Sequence, residues 1–251
     1  MLAALRSAVA VLFFMLVPCL ATAHEGNQIV VGGGGDAIIA FFAPVSEVFQ
    51  DESGFRLFLN VTSPAKALFD LSSDNIDIAT GTSTLKEMIA EVGKKIKIEP
   101  SVFQETVIGV NFTRVIVHKS NPITELTKSQ LKDILTGKIT NWKVFGGPDK
   151  DIALVWSPLT TSQNDLVTKE IMDGQPLAVK KVAATDFLSM RRKVMENQGG
   201  IGFVPEALLT SLIKAPESPK LKSQVIAITK GKPGPQEKKL LDFLVEIATV
   251  F

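Results

Sequence analysis

Apolar strands and amphipathic helices alternate along this chain, and polar turns connect each strand to the helix that follows it. In the first third of the chain, residues 28–31, 55–61 and 76–80 have the pattern of strands, and each is followed by a helical pattern. Consecutive strand–helix–strand units almost always cross over with one hand and place their strands parallel. The sequence therefore predicts an α/β fold in which helices cover a parallel sheet.

The middle of the chain contains an extended stretch that is long for one strand. We interpret residues 107–118 (VIGVNFTRVIVH) as a strand that crosses from one lobe of the protein to another. Residues 199–203 (GGIGF) are the predicted return crossing. This interpretation gives a first lobe of residues 24–111 and 201–251, and a second lobe of residues 112–200.

Further elements are expected in both lobes. The first helix should span residues 37–50, and helices should also follow Ser63 and Thr84. The remaining predictions are helices at residues 128–135, 163–172, 186–196 and 236–248, and strands at residues 151–156, 177–182 and 224–229.

The first 23 residues have the pattern of a secretory signal peptide. Arg6 supplies the positive start, residues 9–17 form an apolar run, and Ala21-Thr22-Ala23 is a small-x-small cleavage site before His24. The pattern predicts cleavage between Ala23 and His24 and a periplasmic location. A retained membrane anchor is the alternative, although the apolar run is short for a membrane-spanning helix.

Composition argues against several classes of function. The only cysteine, Cys19, lies in the predicted signal peptide after Pro18, where a lipoprotein signal would have a small residue. A formal net charge of +1 without a basic patch argues against nucleic-acid binding. The two histidines, His24 and His118, are far apart, so no metal or cofactor is expected.

Candidate ligand-binding residues lie where strands lead into helices. A helix N-terminus exposes unpaired N–H groups and about half a positive charge, and can bind an anion without Lys or Arg. Ligands of α/β sheets bind outside the carboxyl ends of the strands, so two facing lobes would bring several such turns together. The residues of these turns are Gly34, Gly35, Asp36, Thr62, Ser63, Thr82, Ser83, Thr161, Ser162 and Asn164.

Each of these turns also has an ordinary explanation as a helix cap. Ser63 before Pro64 is a strong helix start, and Asp36 is expected to cap the first helix. The glycine run could be a flexible turn, and it lacks the spacing of a nucleotide fingerprint. Two cations could contribute to a site: Lys66 on a first helical turn, and Arg114 beside the presumed hinge.

Several motifs resemble the phosphate-type substrate-binding proteins of ABC transporters. They are VIVHKSNP at residues 115–122, LTGKITNW at residues 135–142, GGPD at residues 146–149 and GGIGFVP at residues 199–205. The resemblance covers the predicted mature chain in order. It implies a type II periplasmic-binding-protein fold with two crossover strands as a hinge, no enzymatic activity, a monomer, and delivery of a small anion to the permease of an ABC transporter.

The resemblance also implies how the anion is held, and here this chain departs from the family pattern. In that family, Ser and Thr hydroxyls and helix-start N–H groups hold phosphate, with an Arg and an Asp adding selectivity. The fourth turn of the family is close to S-G-T-R-D, whereas residues 161–165 are TSQND, so Asn164 replaces the Arg. A lost ionic hydrogen bond costs about 1.5–3 kcal/mol.

The main hypothesis is therefore a binding protein for phosphate or a related oxyanion. A neutral polar solute is an alternative ligand. A second hypothesis is a divergent binding-fold protein that acts as an envelope sensor or interaction module without binding phosphate. An exported hydrolase that uses Ser162 is the least favoured, because no base is positioned to activate that serine.

Overall fold

The computed structural model describes residues 26–93, 98–178 and 180–248. The predicted signal peptide and its cleavage site lie outside the described residues. None of the helices in these ranges is long and apolar enough to cross a membrane.

The described part of the chain folds into alternating strands and helices. The strands are β1 Gln28–Gly33, β2 Arg56–Val61, β3 Ile78–Gly81, β4 Phe103–His118, β5 Ala153–Trp156, β6 Val182–Ala183, β7 Gly200–Pro205, β8 Ile213–Lys214 and β9 Leu221–Lys230. The α-helices are α1 Gly35–Ala37, α2 Ser46–Ser53, α3 Pro64–Ser72, α4 Leu85–Val92, α5 Lys128–Leu135, α6 Thr161–Glu170, α7 Phe187–Glu196 and α8 Pro235–Ala248. A π-helical turn spans Ile38–Phe42, and short 3-10 turns span Pro100–Val102, Trp142–Phe145 and Glu206–Leu208.

The described strands form one sheet in the order β2-β1-β3-β9-β4-β7-β5-β6, and β8 pairs with β4. Strand β1 is parallel to both β2 and β3, which confirms the parallel arrangement predicted for the first units. Strand β9 is antiparallel to β3 and β4. The α/β fold class predicted from the alternation is therefore confirmed.

Two strands, β4 and β9, pass through the cores of both lobes. In β4, Ile108 packs in the core of the first lobe, whereas Val115 packs in the core of the second. In β9, Val225 belongs to the first core and Leu221 to the second. The two strands are hydrogen-bonded to each other from Phe103 to Thr113 of β4, so the link between the lobes is a two-stranded antiparallel ribbon.

The ribbon contains one irregularity. Val107 pairs with Ile226 and Gly109 pairs with Val225, so Ile108 has no partner of its own in β9. The side chain of Ile108 is buried in the core of the first lobe. An extra residue of this kind is a β-bulge, which bends a strand and increases its twist.

The predicted return crossing at residues 199–203 is wrong, because β9 makes that crossing. Strand β7 stays in the second lobe, where it is antiparallel to the end of β4 and parallel to β5. Its side chains Ile201 and Phe203 pack in the second core. The pattern of a strand does not reveal its partners. The sequence therefore does not show which of the two extended segments, residues 199–203 or residues 224–229, returns to the first lobe.

The packing also bears on the predicted boundary at residues 200 and 201. Val204, Leu208 and Ile213 share a buried cluster with Ile116 and Phe187 of the second lobe. We therefore propose that the second lobe continues to Leu221 and that the first lobe resumes within β9.

Most predicted helices and strands are found within a few residues of their expected positions, with three notable differences. The helix expected at residues 37–50 is split at Pro44, because proline has no N–H to donate to a helical hydrogen bond. Helix α6 begins at Thr161, two residues earlier than expected. The strand expected at residues 177–182 is reduced to Val182–Ala183, which pairs with β5.

Candidate ligand-binding site

A cavity of about 620 Å³ lies between the two lobes. The first lobe contributes the turns between β1 and α1 and between β2 and α3. The second lobe contributes the turn between β5 and α6 and the start of α7. The lining residues are Gly34, Gly35, Asp36, Ile39, Val61, Thr62, Ser63, Pro64, Glu91, Pro158, Leu159, Thr160, Thr161, Ser162, Gln163, Thr185, Asp186 and Phe187.

The glycines of the first turn allow close approaches that a side chain would prevent. A Cβ atom on Gly33 would lie 2.2 Å from the carbonyl oxygen of Thr80. A Cβ atom on Gly35 would lie 3.3 Å from Phe187 and 3.4 Å from Val61. The turn therefore packs tightly against β3. Gly35 lies between Val61 of the first lobe and Phe187 of the second.

Asp36 is buried beside this turn and lines the cavity. The hydroxyl of Thr82 donates to its Oδ2 at 2.6 Å, and the N–H of Ala37 donates to its Oδ1 at 2.9 Å. Burial raises the pKa of this carboxyl, and the hydrogen bond from Thr82 offsets part of that effect. The expectation that Asp36 caps the first helix is wrong, because Gly34 occupies the N-cap position.

Ser63 caps α3 as expected. The N–H of Lys66 donates to the Ser63 hydroxyl at 3.2 Å, and Pro64 occupies the first helical turn. The neighbouring Thr62 is held by its backbone, whose N–H donates to the carbonyl oxygen of Gly33 at 2.8 Å. Both residues line the cavity.

The two cations considered from the sequence lie outside the cavity lining. The Lys66 ammonium contacts the Asp70 carboxylate at 2.6 Å and lies over the ring of Phe69. The Arg114 guanidinium pairs with Glu206 at 2.6 Å. Each cation thus has a carboxylate partner elsewhere on the surface.

The second lobe presents hydroxyl groups at the start of α6. Thr160 occupies the N-cap position, and Thr161 and Ser162 form the first turn. The side chain of Asn164 faces back into the preceding turn, where its amide donates to the carbonyl oxygen of Ser157 at 2.8 Å and its oxygen accepts from the Thr160 hydroxyl. Asn164 therefore stabilises the turn and is not among the residues that line this cavity.

The lobes touch directly beside the cavity. The hydroxyl oxygens of Ser83 in the first lobe and Ser162 in the second lie 2.8 Å apart and share a hydrogen bond. Thr82, Ser83 and Asn164 line an adjoining cavity, which Thr161 and Ser162 also line. The predicted residues are thus brought to two neighbouring cavities on either side of this contact.

Sequence reasoning missed Gln163, which lines the cavity and is only 2% exposed. Its amide nitrogen donates to the carbonyl oxygen of Phe203 at 3.1 Å, which fixes the orientation of the side chain. Its Oε1 has no hydrogen-bond partner among the described residues. The sequence gives no sign of this burial, because it depends on β7 passing next to α6.

The charged side chains that line the cavity are all carboxyl groups, namely Asp36, Glu91 and Asp186. The pKa of Asp186 is lowered, mainly because its carboxylate accepts a hydrogen bond from the N–H of Ser189 as the cap of α7. The described lining contains no Lys, Arg or His. An anion in this cavity would therefore depend on hydroxyl groups and helix-start N–H groups.

No cluster of His, Cys, Asp and Glu suited to a metal ion occurs in the described parts of the chain. The described side chains of the cavity are suited to hydrogen bonding with a small polar ligand.

Comparison with known proteins gives consistent findings. A family model for the PBP superfamily domain matches residues 21–208. The phosphate-binding protein PstS of Staphylococcus saprophyticus is 26% identical over 187 residues, which are 73% of this chain and 57% of that protein. PstS of Staphylococcus epidermidis is 34% identical over 116 residues, which are 45% of this chain and 35% of that protein. The chain thus spans between about a third and somewhat more than half of these relatives' length.

Among solved structures, a Clostridium perfringens protein described as a phosphate ABC transporter substrate-binding protein with bound phosphate superposes with a TM-score of 0.74. It is 21% identical, and the match covers 87% of this chain and 93% of that protein. At this identity the likeness concerns the fold, and it confirms the expected two-lobed type II periplasmic-binding fold.

Proposed function

Because this chain belongs to the PBP superfamily domain family, we propose that it is an extracytoplasmic solute-binding protein that takes phosphate or a related oxyanion into the cavity between its lobes. The observation that carries the proposal is the convergence of two helix starts from opposite lobes on one cavity. Ser63 opens α3, and Thr161 and Ser162 open α6. Unpaired N–H groups and the partial positive charge of both helices would then face the same anion.

The hydroxyl groups at these helix starts give the anion its hydrogen-bond donors. The Ser63 hydroxyl oxygen already accepts the Lys66 N–H, which leaves its hydrogen to donate to an acceptor in the cavity. Burial raises the pKa of Asp36, so this carboxyl loses its proton less readily than an exposed aspartate would. A ligand that contacts both lobes would stabilise their closed arrangement, as in other two-lobed binding proteins.

The names of the relatives suggest the place of this protein in transport. We propose that it works as a monomer, that its signal peptide is cleaved between Ala23 and His24, and that it delivers its ligand to the membrane permease of an ABC transporter from the periplasm. N-terminal sequencing of the exported protein tests the cleavage site, and a mature chain that begins elsewhere would contradict it.

Calorimetric titration of the ligand-free mature protein with phosphate tests the binding proposal. We expect saturable heat and a rise in Tm with phosphate, and smaller effects with sulfate and chloride at the same ionic strength. Ser63→Ala should weaken binding about tenfold or more, because a hydrogen bond to a charged group is worth about 1.5–3 kcal/mol. Ser101→Ala is the matched control, since Ser101 is exposed and does not line the cavity.

Two results would reject the proposal. The first is the absence of both heat and thermal shift at millimolar phosphate. The second is an equal loss of affinity in Ser63→Ala and Ser101→Ala, since the binding could not then be assigned to the cavity. The first result would favour the alternative of an envelope sensor or interaction module.

A further inference from the structure

We propose that the cavity prefers a phosphorus oxyanion that carries an organic substituent, a phosphonate or a phosphate monoester, over inorganic phosphate. This inference rests on the proposed function, because it keeps the oxyanion at the same helix starts. It adds a contact between the substituent and an apolar wall that inorganic phosphate would leave empty.

The size of the cavity is the first argument. Phosphate has five heavy atoms. If each atom takes the volume of one water molecule in the liquid, about 30 Å³, the ion fills roughly 150 Å³. The cavity measures about 620 Å³, a size typical of pockets that hold organic ligands. Most of the volume therefore remains for other groups of the ligand.

The lobes are already in contact in this structure, so the volume does not come from a wide separation between them. The hydroxyl oxygens of Ser83 and Ser162 are 2.8 Å apart across the interface. Phe187 of the second lobe lies close to Gly35 of the first, where a Cβ atom would be only 3.3 Å from its ring. The cavity therefore has room for a substituent even though the lobes are in contact at these two places.

The lining of the cavity contains exposed apolar side chains from both lobes. Val61 of the first lobe is 60% exposed, and Leu159 of the second is 68% exposed. Val61 and Phe187 both pack closely against Gly35, where an added Cβ atom would lie 3.4 Å and 3.3 Å from them, so the two side chains lie side by side in one apolar wall. Each methylene of a ligand that is fully buried there should raise affinity about fourfold.

The polar lining fits the same class of ligand. A phosphonate monoanion carries one P–OH group, which can donate to a carboxylate of the cavity lining such as Glu91 or Asp186. The charged lining residues are all carboxyl groups, so a single negative charge on the ligand meets less repulsion than two. Replacing one phosphate oxygen with carbon keeps the P–OH donor and supplies the apolar group.

A calorimetric series tests the inference, with inorganic phosphate, methylphosphonate, propylphosphonate and butylphosphonate as ligands at one slightly acidic pH. We expect affinity to rise with chain length, so that butylphosphonate binds about tenfold or more tightly than methylphosphonate. Val61→Thr combined with Leu159→Gln should flatten this dependence. Val144→Thr is the matched control, because Val144 is similarly exposed at 65% and does not line the cavity.

The outcomes separate this inference from the proposed function. Phosphonates that bind while inorganic phosphate does not would support the inference and exclude phosphate as the ligand. If phosphate binds and affinity stays flat or falls with chain length, the preference is wrong and the proposed function stands. Failure of every ligand in the series to bind would overturn both. If affinity still rises with chain length in the Val61→Thr, Leu159→Gln double variant, these two side chains do not form the apolar wall that contacts the substituent.

Discussion

Ser83 and Ser162 join the two lobes through a hydrogen bond of 2.8 Å between their hydroxyl groups. The first residue follows β3 and the second lies in the first turn of α6, so the contact spans the interface at the edge of the ligand cavity. A neutral hydrogen bond of this kind contributes about 0.5–1.5 kcal/mol. That energy is enough to bias the lobes toward the closed arrangement before any ligand binds.

Removing this contact should shift the ligand-free protein toward an open arrangement. We expect Ser83→Ala to increase the radius of gyration of the free protein in small-angle X-ray scattering, while the ligand-bound form keeps its compact shape. Affinity should fall about twofold to tenfold, because the ligand must then supply the lost closing energy. A scattering curve identical to that of the parent protein would contradict a closing role.

Asp36 should make the protein less stable as pH rises. Its pKa in the folded protein lies above the ordinary value of 3.8, mainly because burial disfavours the charged carboxylate. The folded state therefore binds the proton more tightly than the unfolded state, and this stabilisation is lost as pH rises from the unfolded-state pKa through the folded-state pKa. In urea unfolding, Asp36→Asn should gain stability relative to the parent protein over that window.

Asp173 is a control of opposite sign for that experiment. Hydrogen bonds from Lys128 and Lys132 lower its pKa to about 2. Its stabilising effect should be present above the unfolded-state pKa and lost as pH falls through the folded-state value. Asp173→Asn should therefore be destabilised at neutral pH and approach the parent protein in strong acid. The Asp36 argument fails if both variants respond to pH in the same direction.

Gly33 should tolerate no side chain. Gly33→Ala would place a Cβ atom 2.2 Å from the backbone oxygen of Thr80, and neither strand can move without disturbing the parallel pairing of β1 and β3. We expect a loss of about 1–3 kcal/mol in the free energy of unfolding. Gly26→Ala is the matched control, since no atom lies within 4 Å of its added Cβ. Equal stability of the two variants in chemical denaturation would contradict this packing.

Gln163 should affect both binding and folding. Gln163→Met removes the amide of a residue that lines the cavity, so oxyanion affinity should fall about twofold to tenfold. It also leaves the carbonyl oxygen of Phe203 without its donor, which should cost about 1–3 kcal/mol of stability. The exposed Gln198→Met serves as the control for each measurement. A variant with lower Tm and unchanged affinity would show that Gln163 only supports the fold.

The sequence predicted the local structure of the site well and its tertiary contacts less well. Ser63 and Thr84 cap their helices as expected, because a cap depends on neighbouring residues alone. The pairing of Lys66 with Asp70 was also accessible, since the two are four residues apart on a helix. By contrast, Arg114 pairs with Glu206 and Gln163 reaches Phe203, and these partners meet only after the sheet has formed.

The bulge at Ile108 has a consequence for how the lobes move. The ribbon of β4 and β9 is hydrogen-bonded on either side of the unpaired residue, so its local twist is set by the number of residues in each strand. The extra residue therefore bends β4 at the core of the first lobe, before the strand continues into the second. A deletion of this one residue would change the direction in which β4 leaves the first lobe, without altering any side chain that lines the ligand cavity.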